Sequence, residues 1–442
     1  MAAEGAAVRA YGRASWPPSP TSRSTGPPPA PVRRRGCGEP PAARRCAAHQ
    51  NRLVYCAGVD DSPRVALRTV LKEWGRIGCI GFGGPPAHIA LLRQLCVERR
   101  QWLDDTEFED AVAACNLLPG PASTQLAIFC AWRVRGRVGA LVGGAAFILP
   151  GLAVILALAA LFLAGDPPRW VAGAGAGAGA AVAAVAVQAG TSLAPASWRR
   201  AAQSGSRVRW ALYLTAGIVA AATLGPWLVL VLLACGAVEV VAQRVRPGRV
   251  PQVPALLAGA GLGGGVLLSI AWVALKVGAL SYGGGFVIIP LMRADAVEHY
   301  HWMSDAQFLN AVALGQITPG PVVQTVAVVG YAAAGIGGGL LASAVAFSPS
   351  FAFILLGAHR FDRLRADERV RAFLDGAGPA AIGAILGSAI LLAGALTRPW
   401  QFAVLAAAAV LLLPLRRGVV PVLLGAGAVG VVIALAGGPL PT

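Results

Sequence analysis

The sequence predicts an all-α integral membrane protein of about 13 transmembrane helices in two inverted homologous repeats with broken helices. Three observations lead there: long apolar stretches with little charge, an ordered internal repeat, and a basic-loop bias that reverses between the halves. Of the 442 residues 56% are hydrophobic and 13% charged, more apolar sequence than a soluble core absorbs. A bilayer takes about 20 mostly apolar residues per helical span, and residues 138–164, 210–241 and 419–436 meet or approach that length. The partner implied is the lipid bilayer.

The formal charge of +17 falls in an arginine-rich N-terminal tail and in short loops between apolar segments, the footprint of the positive-inside rule. A nucleic-acid binder would concentrate charge on one face with aromatics between; no such stretch exists, so nucleic acid is excluded as a partner. The eight cysteines contain no C-x-x-C pair and are scattered through tail, loops and apolar segments. They support neither a disulfide framework nor a metal site, and no cofactor is called for.

Residues 1–62, rich in Pro, Arg, Ser and Ala, have no sustained apolar period and read as a disordered tail. The tail has no apolar h-region of a secretory signal; an organellar transit peptide, a cytoplasmic extension and a misplaced start codon stay open. Beyond it the chain repeats itself. Phe82-Gly83-Gly84 matches Tyr282-Gly283-Gly284, Trp102 matches Trp302, Phe108 matches Phe308, and Pro119-Gly120-Pro121 matches Pro319-Gly320-Pro321, each 200 positions on. After the Pro-Gly-Pro the spacing falls by one, so Gln125 matches Gln324 and Pro150 matches Pro349. An ordered series with one gap marks a duplication, with one repeat at 63–249 and the other at 250–442.

Loop charge sets their orientation. The loop Arg133-Val134-Arg135-Gly136-Arg137 is basic and its partner, 332–339, uncharged. One loop later 165–170 has a single Arg, whereas its counterpart carries Arg360, Arg363, Arg365, Arg369 and Arg371. Basic short loops stay cytoplasmic, so equivalent loops face opposite sides, as inverted repeats require. With a cytoplasmic N-terminus, 93–107 outside, 133–137 inside and two crossings between Arg249 and Arg293, the count reaches about 13 in a multi-pass inner (plasma) membrane protein. Gly-rich pieces at 173–180 and 258–265 blur the helix ends.

Two features break a helix at matching places in both halves. One is the Gly-Gly segment, Gly81-Phe82-Gly83-Gly84-Pro85-Pro86 and Ser281-Tyr282-Gly283-Gly284-Gly285-Phe286. The other is Pro-Gly-Pro flanked by amides, Asn116 and Gln125 in the first half, Gln316 and Gln324 in the second. Irregular backbone survives at membrane depth only where protein or a water-filled cavity satisfies it. A helix that starts after Pro-Gly-Pro leaves its first N–H groups free at the positive end of its dipole, an anion site. Two such half-helices converging near the midplane, with the four amides and the Ser123, Thr124 and Thr325 hydroxyls as neutral donors, would hold a desolvated oxyanion without trapping it. The alternative is that Gly and Pro only make kinks or tight crossings, but paired amides in both halves go beyond what packing requires.

Arg76 and Lys276, equivalent positions just before the Gly-Gly segments, either supply positive charge to that site or snorkel at the interface. His88 is matched by Ile288 and stands outside the repeated design; it either titrates near neutrality and couples transport to protons or, the favoured reading, is a plain interfacial histidine. Glu239 is expected at the interface with a local partner. The acidic cluster Asp104, Asp105, Glu107, Glu109 and Asp110 reads as a helix start.

The series Phe82-Gly83-Gly84-Pro85, Ala87-His88-Ile89-Ala90-Leu91-Leu92, Glu98-Arg99-Arg100, Trp102-Leu103, Leu118-Pro119-Gly120-Pro121 and Thr124-Gln125-Leu126-Ala127 resembles the first half of the chromate ion transporter family. Tyr282-Gly283-Gly284-Gly285, Ile289-Pro290-Leu291, Ala313-Leu314-Gly315-Gln316 and Pro319-Gly320-Pro321 resemble its second half. The resemblance covers nearly everything after residue 63; the tail has no counterpart in the family pattern, and 330–335 and Phe347-Ser348-Pro349-Ser350 fit it less closely. It implies a long-chain bidomain secondary transporter that exports chromate and confers chromate resistance, with sulfate, another tetrahedral dianion, as competitor. No G-x-x-x-x-G-K-[ST] motif for ATP occurs. A passive anion channel and an uptake carrier share the broken-helix physics. A lipid-phosphate enzyme would need a nucleophile or metal ligands, and no His/Asp/Glu cluster recurs in the spans. The oligomeric state, a homo-oligomer included, stays open.

Overall fold

The computed structural model describes residues 65–118, 120–163, 167–203, 205–224, 228–243, 265–281, 288–357 and 367–441. The 1–62 tail, Pro119, Gly283, Gly284, Gly285, the 244–249 loop and Arg360, Arg363 and Arg365 lie outside them. The described residues are helical. The first half runs α1 (Leu67–Ile80), α2 (Pro85–Arg93), the π-helix π1 (Gln94–Arg99), α3 (Asp105–Leu117), α4 (Ala122–Phe162), α5 (Arg169–Gln203), α6 (Arg207–Thr223) and α7 (Leu228–Ala242). The second repeats it: α8 (Val266–Leu280), α9 (Ile288–Arg293), π2 (Ala294–His299), α10 (Asp305–Ile317), a 3-10 turn (Val322–Gln324), α11 (Thr325–Gly357), α12 (Glu368–Gly394), α13 (Pro399–Leu412) and α14 (Val419–Leu435).

The repetition reaches the backbone irregularities. Each π-helix is followed by a non-glycine residue at positive φ, Gln101 (51°) and His301 (52°). Each is then closed by a long-range turn, Trp102 N–H to Cys96 O at 2.7 Å and Trp302 N–H to Ala296 O at 2.8 Å. Arg93–Asp105 at 2.5 Å and Arg293–Asp305 at 2.7 Å brace the same corner. Next comes a capped helix: Asp104 accepts from Glu107 N–H, and Ser304 forms a capping box with Gln307. π-helices and left-handed non-glycine residues are uncommon and unfavourable, so finding them twice in register shows that one structural unit was duplicated.

Both α4 and α11 are bent double. Arg135-Gly136 and Ala334-Gly335 leave helical geometry, and the arms on either side pack back to back. A Cβ on Gly139 would lie 2.5 Å from Ala131 O, and one on Gly330 2.4 Å from Gly338 O. The first arm also folds back on the preceding helix: Glu107 at the start of α3 is ion-paired with Arg133 at the far end of the arm. Residues 93–107 and 133–137, which loop charge assigns to opposite faces, therefore lie at one end of the protein. The count of about 13 crossings, which alternates them, does not carry over, because α3 and the first arm of α4, 13 residues each before the turn, make a hairpin with Gly120 and Pro121 at its tip. An impermeant thiol reagent applied to sealed vesicles is expected to label Glu107→Cys and Arg133→Cys from the same side; labelling from opposite sides would sink the hairpin.

Among the described residues four helices, α4, α5, α11 and α12, are long and apolar enough to cross a membrane, which with the two repeats makes this a multi-pass membrane protein. α5 and α12 are the more deeply buried of the four, and each packs on the terminal helices of the other half, α5 on α13 and α14, α12 on α6 and α7. Small residues allow it: a Cβ on Gly177 would sit 2.2 Å from Ala426 O, and one on Gly217 2.0 Å from Ala380 O. The Gly-rich 173–180 stretch thus lies inside α5 as a packing face and does not blur a helix end. The long arms of α4 and α11 run antiparallel, with Gly144 against Phe351 and Gly339 against Leu156. The halves are interleaved, so neither repeat could bury its own glycine faces alone.

Candidate functional site

At the first Gly-Gly break α1 ends at Gly81, and the chain turns through Gly83 (φ 98°) and Gly84 (φ 74°) into Pro85 at the start of α2. Two successive residues at positive φ demand glycine. The Pro-Gly-Pro breaks start α4 at Ala122 and the 3-10 turn at Val322, with the first backbone acceptors supplied by the prolines: Thr124 N–H to Pro121 O at 2.9 Å and Gln324 N–H to Pro321 O at 2.9 Å.

The breaks are tied together reciprocally across the halves. Gly120 N–H donates to Ser281 O at 3.0 Å, and Gly320 N–H donates to Gly81 O at 3.0 Å. Gly81 and Ser281 are equivalent positions, as are Gly120 and Gly320. The central glycine of each Pro-Gly-Pro therefore docks on the residue that ends the first helix of the other repeat, and Gly84 lies beside Val322.

His88 extends one of these ties. Its Nε2–H donates to Gly81 O at 2.9 Å, its Nδ1 faces Ser123 Oγ at 3.2 Å, and its ring meets the Phe147 edge at 5.0 Å. The side chain is fully buried, which corrects the interfacial placement. It joins Gly320 of the second half, through Gly81, to the helix start after the first Pro-Gly-Pro. The sequence signal that could have found it was the adjacent Gly81, where a Cβ would run into the imidazole at 2.7 Å.

The flanking amides part company. Gln324 Nε2 donates to Ile148 O at 2.7 Å in the long arm of α4. Gln125 and Gln316 are buried, with Gln125 Nε2 turned toward Gly120. Asn116, equivalent to Gln316, is exposed on α3 and does not join them. Several buried polar atoms have no partner among the described residues: Thr124 Oγ1, Ser281 Oγ, Ser350 Oγ, Gln316 Nε2 and Gln324 Oε1. Of these residues, Ser281 and Ser350 were not singled out by the sequence reading. Thr325, by contrast, donates to Val322 O at 2.8 Å.

Neither basic candidate stands in the site as an open charge. Lys276 Nζ is bound by both oxygens of Asp295 at 2.6 and 2.8 Å and lies 5.7 Å over the Trp272 ring. Arg76 is half-buried on α1. Glu239 is buried and accepts from Arg209 at 2.8 and 3.0 Å, from Tyr213 at 3.0 Å and from Gln243 at 3.0 Å, which makes it an internal clamp between α6 and α7 rather than an interfacial group. Among the described residues no group of His, Cys, Asp and Glu could hold a metal ion.

Duplicated halves with discontinuous helices that meet around buried polar groups define the class as a membrane transport protein. The chromate transporter family model matches residues 68–240 and 268–431, and the chain belongs to that family. It is 33% identical over 349 residues to the chromate transport protein of Cupriavidus metallidurans, covering 76% of this chain and 84% of that protein. It is 30% identical to the chromate transport protein of Pseudomonas aeruginosa (75% and 82% covered). It is 27% identical to the probable chromate transport protein of Synechococcus elongatus (75% and 85% covered). No solved structure matches the chain.

Proposed function

We propose that this protein is a secondary transporter that exports chromate from the cytoplasm across the inner (plasma) membrane and so confers chromate resistance, with sulfate as a competing substrate. The observation that carries the reading is the reciprocal docking of Gly120 on Ser281 and of Gly320 on Gly81, each at a helix start of one half and a helix end of the other, with buried neutral donors around them. Helix N-termini with hydroxyl and amide donors bind a tetrahedral dianion without the deep well that a buried cation would create. Both substrates are tetrahedral dianions, and the site so built does not separate them by charge.

The repeats are inverted in this reading. Two features support it: the reversed loop charges, and the antiparallel packing of the equivalent long arms of α4 and α11, which puts the pseudo-two-fold axis across those helices. Basic loops then lie on the cytoplasmic side together with the N-terminus. Export of a dianion from a negative interior is favoured by about 2.3 kcal/mol per charge per 100 mV, so no nucleotide-driven motor is needed.

The test is flux of radiolabelled chromate and sulfate into inside-out vesicles with an imposed potential and, separately, an imposed pH gradient. Chromate accumulation against its gradient, competed by sulfate, is expected. Potential-driven movement that neither saturates with chromate nor responds to the pH gradient would make the protein a channel, and no movement by folded, inserted protein would remove the chromate assignment.

A further inference from the structure

The two crossings between the halves are equivalent in backbone but opposite in chemistry. Around the Gly120–Ser281 crossing stand three hydroxyls, Thr124, Ser281 and Ser350, each fully buried and each without a partner among the described residues. At the corresponding places around the Gly320–Gly81 crossing stand Val323, Gly81 and Gly151. Every hydroxyl of the first crossing is absent from the second.

The spacing differs in the same sense. A Cβ on Gly151 would fall 2.1 Å from Pro319 O, so at the second crossing the backbones are in direct contact. At the first crossing the same position is Ser350, a real side chain, and its Oγ lies 3.2 Å from where a Gly120 Cβ would stand.

The amides complete the contrast. Gln324 spends its Nε2–H on Ile148 O and turns Oε1 toward Gly151 and Gly320, presenting an acceptor, which repels an anion. At the first crossing it is Gln125 Nε2 that lies beside the glycine, 2.6 Å from where a Gly120 Cβ would stand. His88 further fills the second crossing by occupying Gly81 O.

From this we infer that the oxyanion site is single and asymmetric, formed at the Gly120–Ser281 crossing by Thr124, Ser281 and Ser350 from both halves, while the Gly320–Gly81 crossing is a closed structural joint. The inference rests on the oxyanion-carrier reading. Hydroxyl donors buried without partners are costly unless something accepts from them, and a tetrahedral dianion offers acceptors in several directions. Specificity determinants therefore come from Ser281 and Ser350, outside the repeated Pro-Gly-Pro motif itself.

The test is the KM for chromate uptake into inside-out vesicles by Ser281→Ala, Ser350→Ala and Thr124→Val, with Ser388→Ala as control because its hydroxyl is bonded to Ile385 O in α12. Each site variant is expected to raise KM about ten-fold or more, the loss of a hydrogen bond to a charged group, and the control is expected to stay within about two-fold. Sulfate binding to detergent-solubilised protein, which involves no redox chemistry, separates lost affinity from misfolding, and Ser350→Thr is expected to recover most of it. Wild-type transport with unchanged KM in Ser281→Ala and Ser350→Ala would overturn the asymmetric site and leave the carrier reading standing. Absence of wild-type transport would remove both.

Discussion

Replacing Asp295 with alanine is expected to destabilise the folded protein by about 3–5 kcal/mol, the cost of leaving one partner of a buried ion pair alone. Lys276 and Asp295 are 9% and 4% exposed, and both carboxylate oxygens are bonded to the ammonium. Without Asp295 the ammonium keeps the Trp272 face, and a desolvated cation–π contact offsets about 2 kcal/mol, less than the loss of the carboxylate. The double variant Lys276→Met/Asp295→Leu is expected to recover most of the lost stability, because a buried pair replaced by apolar groups of similar volume is often neutral, and the first half already has Leu95 at the position of Asp295. The measurement is the unfolding midpoint in detergent for the three proteins, followed by chromate flux. If the double variant folds and still transports, Lys276 is a strut between α8 and π2. If it folds and fails to transport, the cation contributes to the substrate path after all.

That strut illustrates what the sequence could and could not convey. The 200-residue spacing identifies equivalent residues, and the equivalence extends to π1 and π2 and to the left-handed Gln101 and His301. Equivalence is not contact. Arg76 and Lys276 match in position, yet the partner of Lys276 is Asp295, whose counterpart is Leu95, so no pattern of matches could reveal the pair. In the first half α1 is instead tied to the same corner by Glu73–Arg100 at 2.6 Å and by the Trp74–Trp102 stack. Two different chemistries hold one geometry.

The same limit applies to the breaks. Gly and Pro at membrane depth announce that the backbone departs from helix there, and α4 does start after Pro121. Which break each one meets is set by long-range docking, Gly120 on Ser281 and Gly320 on Gly81, and local sequence is silent on that. Asn116 was singled out with the other amides by its place in the repeat, but helix rotation on α3 leaves it exposed. The hairpin of α3 with the first arm of α4 was hidden for a related reason: loop charge reports a side of the membrane only if the intervening chain crosses it, and a segment that turns back mimics a crossing.

Exchanging one residue between the two crossings should have opposite consequences, and this is the second large effect expected. Gly151→Ser imposes the residue of the open crossing on the closed one. Its Cβ would lie 2.1 Å from Pro319 O and 2.6 Å from Gln324 Oε1, and because the first of these is backbone docked on the other repeat, the collision cannot be relieved by a rotamer change. Overpacking of this kind is expected to cost on the order of 3 kcal/mol, visible as a lower unfolding midpoint and reduced yield of folded protein. Ser350→Gly imposes the closed crossing on the open one; it removes a side chain and is expected to cost only about 1 kcal/mol of helix stability, while chromate affinity falls with the lost hydroxyl. One protein would then bind poorly because it folds poorly, and the other would fold and bind poorly. Equal unfolding midpoints for the two variants would mean that both crossings accept a serine side chain at this position, and the difference between Gly151 and Ser350 would then no longer distinguish a binding site from a joint.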